Sequence, residues 1–254
     1  MKALVTGAAR GLGRAFAELV VSRGGTVVAL DRDAAGLAEL EYLYPREITT
    51  RWIDLADTEA VEALTRDIAR HFRFDVVLLN AGISATGRFE DVPVEAYERL
   101  FAVNVTAPLL MLRWLVSDGA VKRGATVVFV SSLSHRLGYP GAAAYAASKD
   151  ALADYAEAVR RPLLRRGVRV LSVFPGPVRT EHAGRHAPPG ARADRRMAPA
   201  VLARKIRRAV RTRKRRLYPG AAAKLLALLG AVAPGLATRL MRRAVFDRLE
   251  RAVW

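Results

Sequence analysis

Near the start of the chain, Leu4-Val5-Thr6 breaks into Gly7-Ala8-Ala9-Arg10-Gly11-Leu12-Gly13, and a helical pattern follows to about Arg23. No other stretch restricts the fold as much. Three glycines at a strand-to-helix turn let the backbone bend sharply and come close to a ligand. The helix start then aims backbone N–H groups and the positive end of its dipole at that ligand, the arrangement that attracts a pyrophosphate. Glycine spacing alone is weak evidence. A strand before it and a helix after it supply the confirming context.

Apolar, β-branched runs recur at residues 26–30, 48–53, 74–79 and 126–130, with helical stretches between them. Continuous apolar strands alternating with helices predict a parallel sheet covered on both faces. In such sheets ligands bind where the strands end, so the residues just past each run carry the interest. Asp31 ends the second run and is placed to accept hydrogen bonds from ribose hydroxyls, which favours NAD over NADP. Arg32 beside it and Arg10 inside the glycine loop admit a phosphate instead. Asp54-Leu55 ends the third run as a clamp for an adenine edge. Asn80-Ala81-Gly82 ends the fourth, where small residues allow a ribose to pass closely. Asn104 sits within a helical segment spanning about 94–116, either as a buried hydrogen-bonder at a bend or as the holder of a water in a proton path.

Ser132 follows the fifth run, and Tyr145-Ala-Ala-Ser-Lys149 lies beyond it. Tyrosine and lysine at i and i+4 share one helix face. A cationic lysine favours the phenolate and draws a phenol, which ordinarily titrates near 10, toward neutrality. A serine at a strand end facing that pair suits hydrogen bonding to a substrate oxygen.

Together, TGAARGLG, the Asn80-Ala81-Gly82 run, Asn104, Ser132, the Tyr145/Lys149 pair and Pro175-Gly176-Pro177-Val178-Arg179-Thr180 resemble a short-chain dehydrogenase/reductase over residues 1 to about 180. The resemblance implies an α/β, Rossmann-type doubly wound parallel sheet of about seven strands, with helices on both faces. It implies an NAD(P)-dependent oxidoreductase that interconverts a secondary alcohol and a ketone. Tyr145 would be general acid or base, and Lys149 would lower its pKa and hold the nicotinamide ribose. Ser132, rather than the adjacent Ser131, would bind the substrate oxygen, and Asn104 would support a water relay. Pro175, Gly176, Val178 and Thr180 would border the nicotinamide. The cofactor is NAD by preference, or NADP. A homo-oligomer is implied as well, with the Tyr145 helix at its interface and Pro162 kinking or ending that helix.

Charge divides the chain unevenly. Residues 1–180 carry a net +3 and residues 181–254 a net +15, within a total of +18. The main body (1–198) is therefore expected to be the catalytic domain, with 182–199 as a substrate lid. Residues 200–254 would form a basic helix, a last edge strand at 217–220, and an apolar helical extension packed on the same domain. That extension, uncharged and mostly apolar from 225 to 237 and closed by Ala244, Val245, Phe246, Leu249, Val253 and Trp254, is too short to span a bilayer. It reads as a cap over a hydrophobic substrate pocket or as an element lying on an anionic leaflet. The clustered arginines suggest a nucleic-acid binder as the alternative function, and a non-catalytic dinucleotide sensor is another. Without interleaved aromatics or a recognised motif, no nucleic-acid partner is expected. Cysteine is absent, which removes thiolate metal sites, and no metal is expected from His182 and His186; His135 reads as a rim or structural residue. No signal peptide precedes the first strand, so a cytoplasmic enzyme is expected, with peripheral contact at the inner membrane surface left open.

Overall fold

The apolar runs become one sheet. In the computed structural model, β1 (Lys2–Thr6), β2 (Thr26–Asp31), β3 (Ile48–Trp52), β4 (Phe74–Leu79), β5 (Val121–Val130), β6 (Arg169–Val173) and β7 (Arg216–Leu217) pair in parallel. Their order is β3-β2-β1-β4-β5-β6-β7, so the direction of winding reverses between β1 and β4. The structure describes residues 1–137, 139–186, 194, 196–244, 246–248 and 253–254.

Side chains alternate across each strand and build a core on either face. Val5, Ala29, Leu78, Val128 and Val173 face α1 (Gly11–Val21), α2 (Ala34–Leu43) and α10 (Pro199–Arg211). Leu4, Val28, Val77, Phe129 and Val170 face α3 (Thr58–His71), α5 (Ala107–Ser117), α7 (Ala143–Ala158) and α8 (Arg160–Arg165). This is the doubly wound, two-faced architecture the strand pattern implied. α10 buries Leu202, Ala203, Ile206 and Ala209 against the sheet, so Arg204 and Arg208 are the solvated side of a core helix.

Several local expectations need correction. The helix expected over 94–116 is α4 (Val94–Phe101), a π-helical turn (Ala102–Thr106) and α5, with Asn104 inside the turn. The 94–117 span is apolar and long enough to cross a membrane by composition alone, yet Leu100, Val103, Met111 and Leu115 are core residues. The Tyr145 helix, α7, stops at Val159, ahead of Pro162. Pro162 instead occupies the first turn of α8, where its missing N–H costs nothing. β7 is two residues long, because Pro219 has no N–H to donate and Gly220, at φ 105°, turns the chain away into α11 (Ala221–Val232).

α11 and α12 (Pro234–Ala244) form a hairpin that packs on α6 (Ser134–Leu137), not on the sheet. Leu133, Leu137, Ala223 and Ala237 are buried there, with Tyr218, Leu229 and Met241 around them. Tyr218 also stacks on Phe174 at 4.8 Å. The C-terminal apolar end follows only in part, since Val245 and Leu249 fall outside the described residues; Val253 bridges to Thr86 through paired backbone hydrogen bonds.

A buried cation ties the last strands down. Arg160 is 8% exposed and donates to the carbonyls of Val170 (2.6 Å) and Arg215 (3.3 Å). It pairs with Glu157 at 3.1 Å, and Glu157 also takes Arg216 at 2.9 Å. Hydrogen bonds from these two guanidinium groups hold the Glu157 carboxyl down at about 2. A carboxylate with a depressed folded-state pKa stabilises the fold above its ordinary value, and that contribution fades as pH falls toward 2. Glu157→Gln should lower the melting temperature at pH 7 by a few degrees, on the order of 1 kcal/mol after solvent screening. The gap to the parent should begin to narrow below about pH 4 and close near pH 2. A thermal-denaturation series in pH reads this, and a gap that stays undiminished down to about pH 2 would contradict it.

Candidate active site

The crevice opens where the winding reverses, at the carboxyl ends of β1 and β4. Gly7 and Gly11 adopt positive φ (65° and 56°), which only glycine takes without strain. A Cβ on Gly13 would lie 1.9 Å from the Gly7 carbonyl oxygen, so α1 reaches the loop only because that position is bare. Thr6 Oγ1 accepts from the N–H groups of Asn80 (2.9 Å) and Ala81 (3.0 Å). Asn80 Nδ2 returns bonds to the Thr6 and Gly7 carbonyls. Asn80 is therefore a brace for the glycine loop. No side chain caps the start of α1, whose first N–H groups stay open toward a phosphate.

Asp31 braces the same loop from the other side, accepting from Ala9 N (2.9 Å) and Asp33 N (3.1 Å). Arg10, expected near a phosphate, is engaged with Asp33 (2.5 Å) and Glu181 (2.6 Å). Asp54 accepts from Ala56 N and pairs with Arg99 at 2.6 Å. Asp33, Arg99 and Glu181 were not singled out from the sequence; each is an ordinary charged residue whose partner lies far along the chain.

Ser131 and Ser132 separate cleanly at the end of β5. Ser131 Oγ donates to the Lys149 carbonyl at 2.7 Å and is fully enclosed. Ser132 Oγ accepts from Ser134 N at 3.2 Å and faces the crevice. α7 carries Tyr145 and Lys149 to the same place. Lys149 is 4% exposed; its Nζ donates to the Val130 carbonyl at 3.1 Å and stands 5.8 Å from the Tyr145 ring centre. Burial pushes Lys149 down to about 8. The Tyr145 phenol is pushed up, chiefly by burial, with a hydrogen bond from Ser132 opposing. In the protein alone, enclosure outweighs the lysine's expected pull on the phenol.

Asn104 is held by three side-chain hydrogen bonds. Its Oδ1 accepts from Ile83 N (2.8 Å), and its Nδ2 donates to the Ile83 carbonyl (2.9 Å) and to Ser148 Oγ (2.9 Å). The side chain thus fastens the loop after β4 to α7, which is the buried hydrogen-bonder reading. A Cβ on Gly82 would meet Lys149 Nζ at 2.9 Å and Asn104 Oδ1 at 3.2 Å, so that glycine lets both approach.

Of the residues expected at the site, all but Gly13 and Asn104 line one crevice of about 1460 Å³; these two stand directly behind its wall. It runs from Gly7, Arg10, Gly11, Leu12, Asp31, Arg32, Asp54 and Leu55 past Asn80, Ala81 and Gly82 to Ser132, Tyr145 and Lys149. Pro175, Gly176, Val178 and Thr180 form its far wall, where Leu133 N donates to the Pro175 carbonyl at 3.0 Å. Thr180 Oγ1 caps the short helix α9 (Glu181–Arg185) by accepting from Ala183 N. Ile83, Leu137, Leu226 and Met241 add apolar side chains to the lining, beside Tyr139, Arg185, His186 and Arg196. His135 is structural: it pairs with Asp150 at 3.0 Å and stacks on Phe174. Of the lid expected at 182–199, residues 187–193 and 195 and the side chain of His182 lie outside the described residues. Among the described residues no cluster of three His, Asp or Glu could hold a metal.

The glycine cradle, its open N–H groups and the carboxylate of Asp31 fit a dinucleotide. A family model described as short chain dehydrogenase matches residues 1–189. An uncharacterized oxidoreductase of Bacillus subtilis, YxnA, is 32% identical over 256 residues, covering 96% of this chain and 72% of that protein. A short chain dehydrogenase structure from Burkholderia cenocepacia, in complex with NADP, has a TM-score of 0.79 at 26% identity and covers 94% of this chain and 96% of that one. Another from Burkholderia phymatum, in complex with NAD, has a TM-score of 0.77 at 25% identity, over 90% and 92%.

Asn104→Ala should cost about 2–3 kcal/mol, because it strands the Ile83 N–H and carbonyl in the interior. Asn104→Asp, which keeps the acceptor and loses the donors, should fall between. Urea denaturation of the three proteins measures both; an unaffected alanine variant would refute the structural role.

Proposed function

The chain belongs to the short-chain dehydrogenase/reductase family and is an NAD(P)-dependent oxidoreductase, and from that premise we propose that it interconverts a secondary alcohol and a ketone on a predominantly apolar molecule. The single observation that carries this reading is the shared crevice. Ser132, Tyr145 and Lys149 face the same cavity as the glycine cradle and Asp31.

A nicotinamide cofactor supplies or accepts the hydride when bound. The chain's own groups do the rest. Ser132 Oγ orients the substrate oxygen. The Tyr145 hydroxyl gives that oxygen a proton in reduction and takes it back in oxidation. Lys149, held near 8 by burial, is poised to change charge in the working range, and its cationic form favours the phenolate. Asn104 and Ser131 act on the site by fixing α7 and its neighbouring loop. Residues Leu137, Ile83, Leu226 and Met241 give the substrate end its apolar character, which supports a hydrophobic body next to the reacting carbon.

NAD is the proposed cofactor. Asp31 presents a carboxylate at the end of β2, with Asp33 close by, and Arg10 is already paired. A 2′-phosphate would meet negative charge there. Arg32, which also lines this end, is the group that supports NADP instead. Work in the cytoplasm as a homo-oligomer is part of the same proposal.

Tyr145→Phe should reduce turnover by about 10²–10⁴-fold, as expected on loss of a general acid–base. Binding of NADH, followed by its fluorescence, should change little. NADPH should bind the parent at least about tenfold more weakly than NADH, since one misplaced charge is worth more than 1.4 kcal/mol in such a site. A phenylalanine variant that keeps its activity against a panel of cyclic, aromatic and long-chain ketones would overturn the mechanism. Tighter binding of NADPH would overturn the cofactor assignment alone.

A further inference from the structure

Three serines punctuate the segment from β5 into α6, and only two have their hydroxyls engaged. Ser131 Oγ donates to Lys149 O, and Ser132 Oγ accepts from Ser134 N. Ser134 is 7% exposed, and its Oγ has no hydrogen-bond partner. Its neighbours offer none: His135 is turned to Asp150 and Phe174, and Leu133 and Leu137 belong to the apolar cluster under the hairpin. A buried, unpartnered hydroxyl is a standing cost, and alanine at the same place would remove it.

Ser134 is nonetheless one of the residues that line the crevice, with Ser132 and Tyr145. Its own backbone N–H donates to Ser132 Oγ at 3.2 Å, so the two residues are neighbours in that lining. Tyr139, also on this wall, lies close enough to Tyr145 to influence its titration. We propose that Ser134 Oγ is a second substrate-binding group, and that the substrate carries a second oxygen, hydroxyl or carbonyl, on the carbon next to the reacting one or one further along. Ser132 then takes the reacting oxygen and Ser134 the neighbour. The substrate class narrows from an apolar ketone to an apolar hydroxyketone, diketone or diol. A site built to pair a polar group penalises a substrate that lacks it, because its own polar atom stays unpaired.

The inference rests on the proposed alcohol–ketone chemistry, and the test separates the two. The probes are cyclohexanone and α-hydroxycyclohexanone, each assayed with NADH, for the parent, Ser134→Ala and Ser134→Cys. The parent should prefer the hydroxyketone in kcat/KM. Ser134→Ala should lose about tenfold of that preference, the worth of one hydrogen bond, with cyclohexanone turnover unchanged. Its melting temperature should be equal or higher. Ser134→Cys, a weak donor of similar size, should keep part of the preference. An unchanged preference in Ser134→Ala overturns the assignment while the reaction stands. A destabilised or unfolded Ser134→Ala overturns it as well, since the hydroxyl would then be serving the fold. A parent that turns over neither ketone sinks the underlying reaction and this assignment with it.

Discussion

Everything at the crevice depends on how closely α1 approaches the turn that follows β1. With no side chain at Gly13, the helix comes against the Gly7 carbonyl at a separation any Cβ would prohibit. Thr6 and Asn80 then bolt the turn to the end of β4, and Asp31 secures it to β2. Three neighbouring strands are thereby locked at one end, where the order of the sheet reverses. The resulting hollow is rigid because its walls are backbone, not long side chains. Backbone N–H groups that no side chain caps are what such a wall offers to an anion.

The opposite wall follows another logic. Lys149 is buried, with its ammonium on a carbonyl of β5 and its own carbonyl on Ser131. Removing both a phenol and an amine from water penalises each charged form, and the shifts of Tyr145 and Lys149 run in opposite directions for that reason. Both groups tend toward neutrality in the isolated protein. The ordinary values of a phenol and an ammonium nearly coincide, so these shifts spread the pair: the phenol holds its proton more tightly and the ammonium gives its own up more readily. Asn104, through Ser148 and Ile83, keeps α7 where the pair must stand.

Much of this was legible in the residues. Continuous apolar runs located five strands, because strands covered on both faces leave no room for a polar alternation. The glycines, the strand-end Asp31 and the Tyr145/Lys149 spacing marked the crevice, since each is a local pattern with a local cause. What escaped notice depends on distant contacts. Nothing near Asn104 in sequence announces a π-helical turn, which exists because Ile83 and Ser148 claim its side chain. Arg160 gave no hint of being a buried cation, as its acceptors come from β6 and from the residue before β7. The basic helix expected from residue 200 carries an apolar stripe of Leu202, Ala203, Ile206 and Ala209 that its many arginines masked, and that stripe makes it a core helix. Pro162 looked like a helix stop, and a proline in a first turn is indistinguishable from one until the preceding break is seen.

The hairpin of α11 and α12 touches α6 and the crevice rim, and its small apolar cluster is separate from the two that hold the sheet. Substitutions at Leu226 or Met241 would reshape the roof over the substrate without disturbing the layers beneath. Such a division mechanically uncouples the roof from the dinucleotide cradle: one can be repacked while the other keeps its shape.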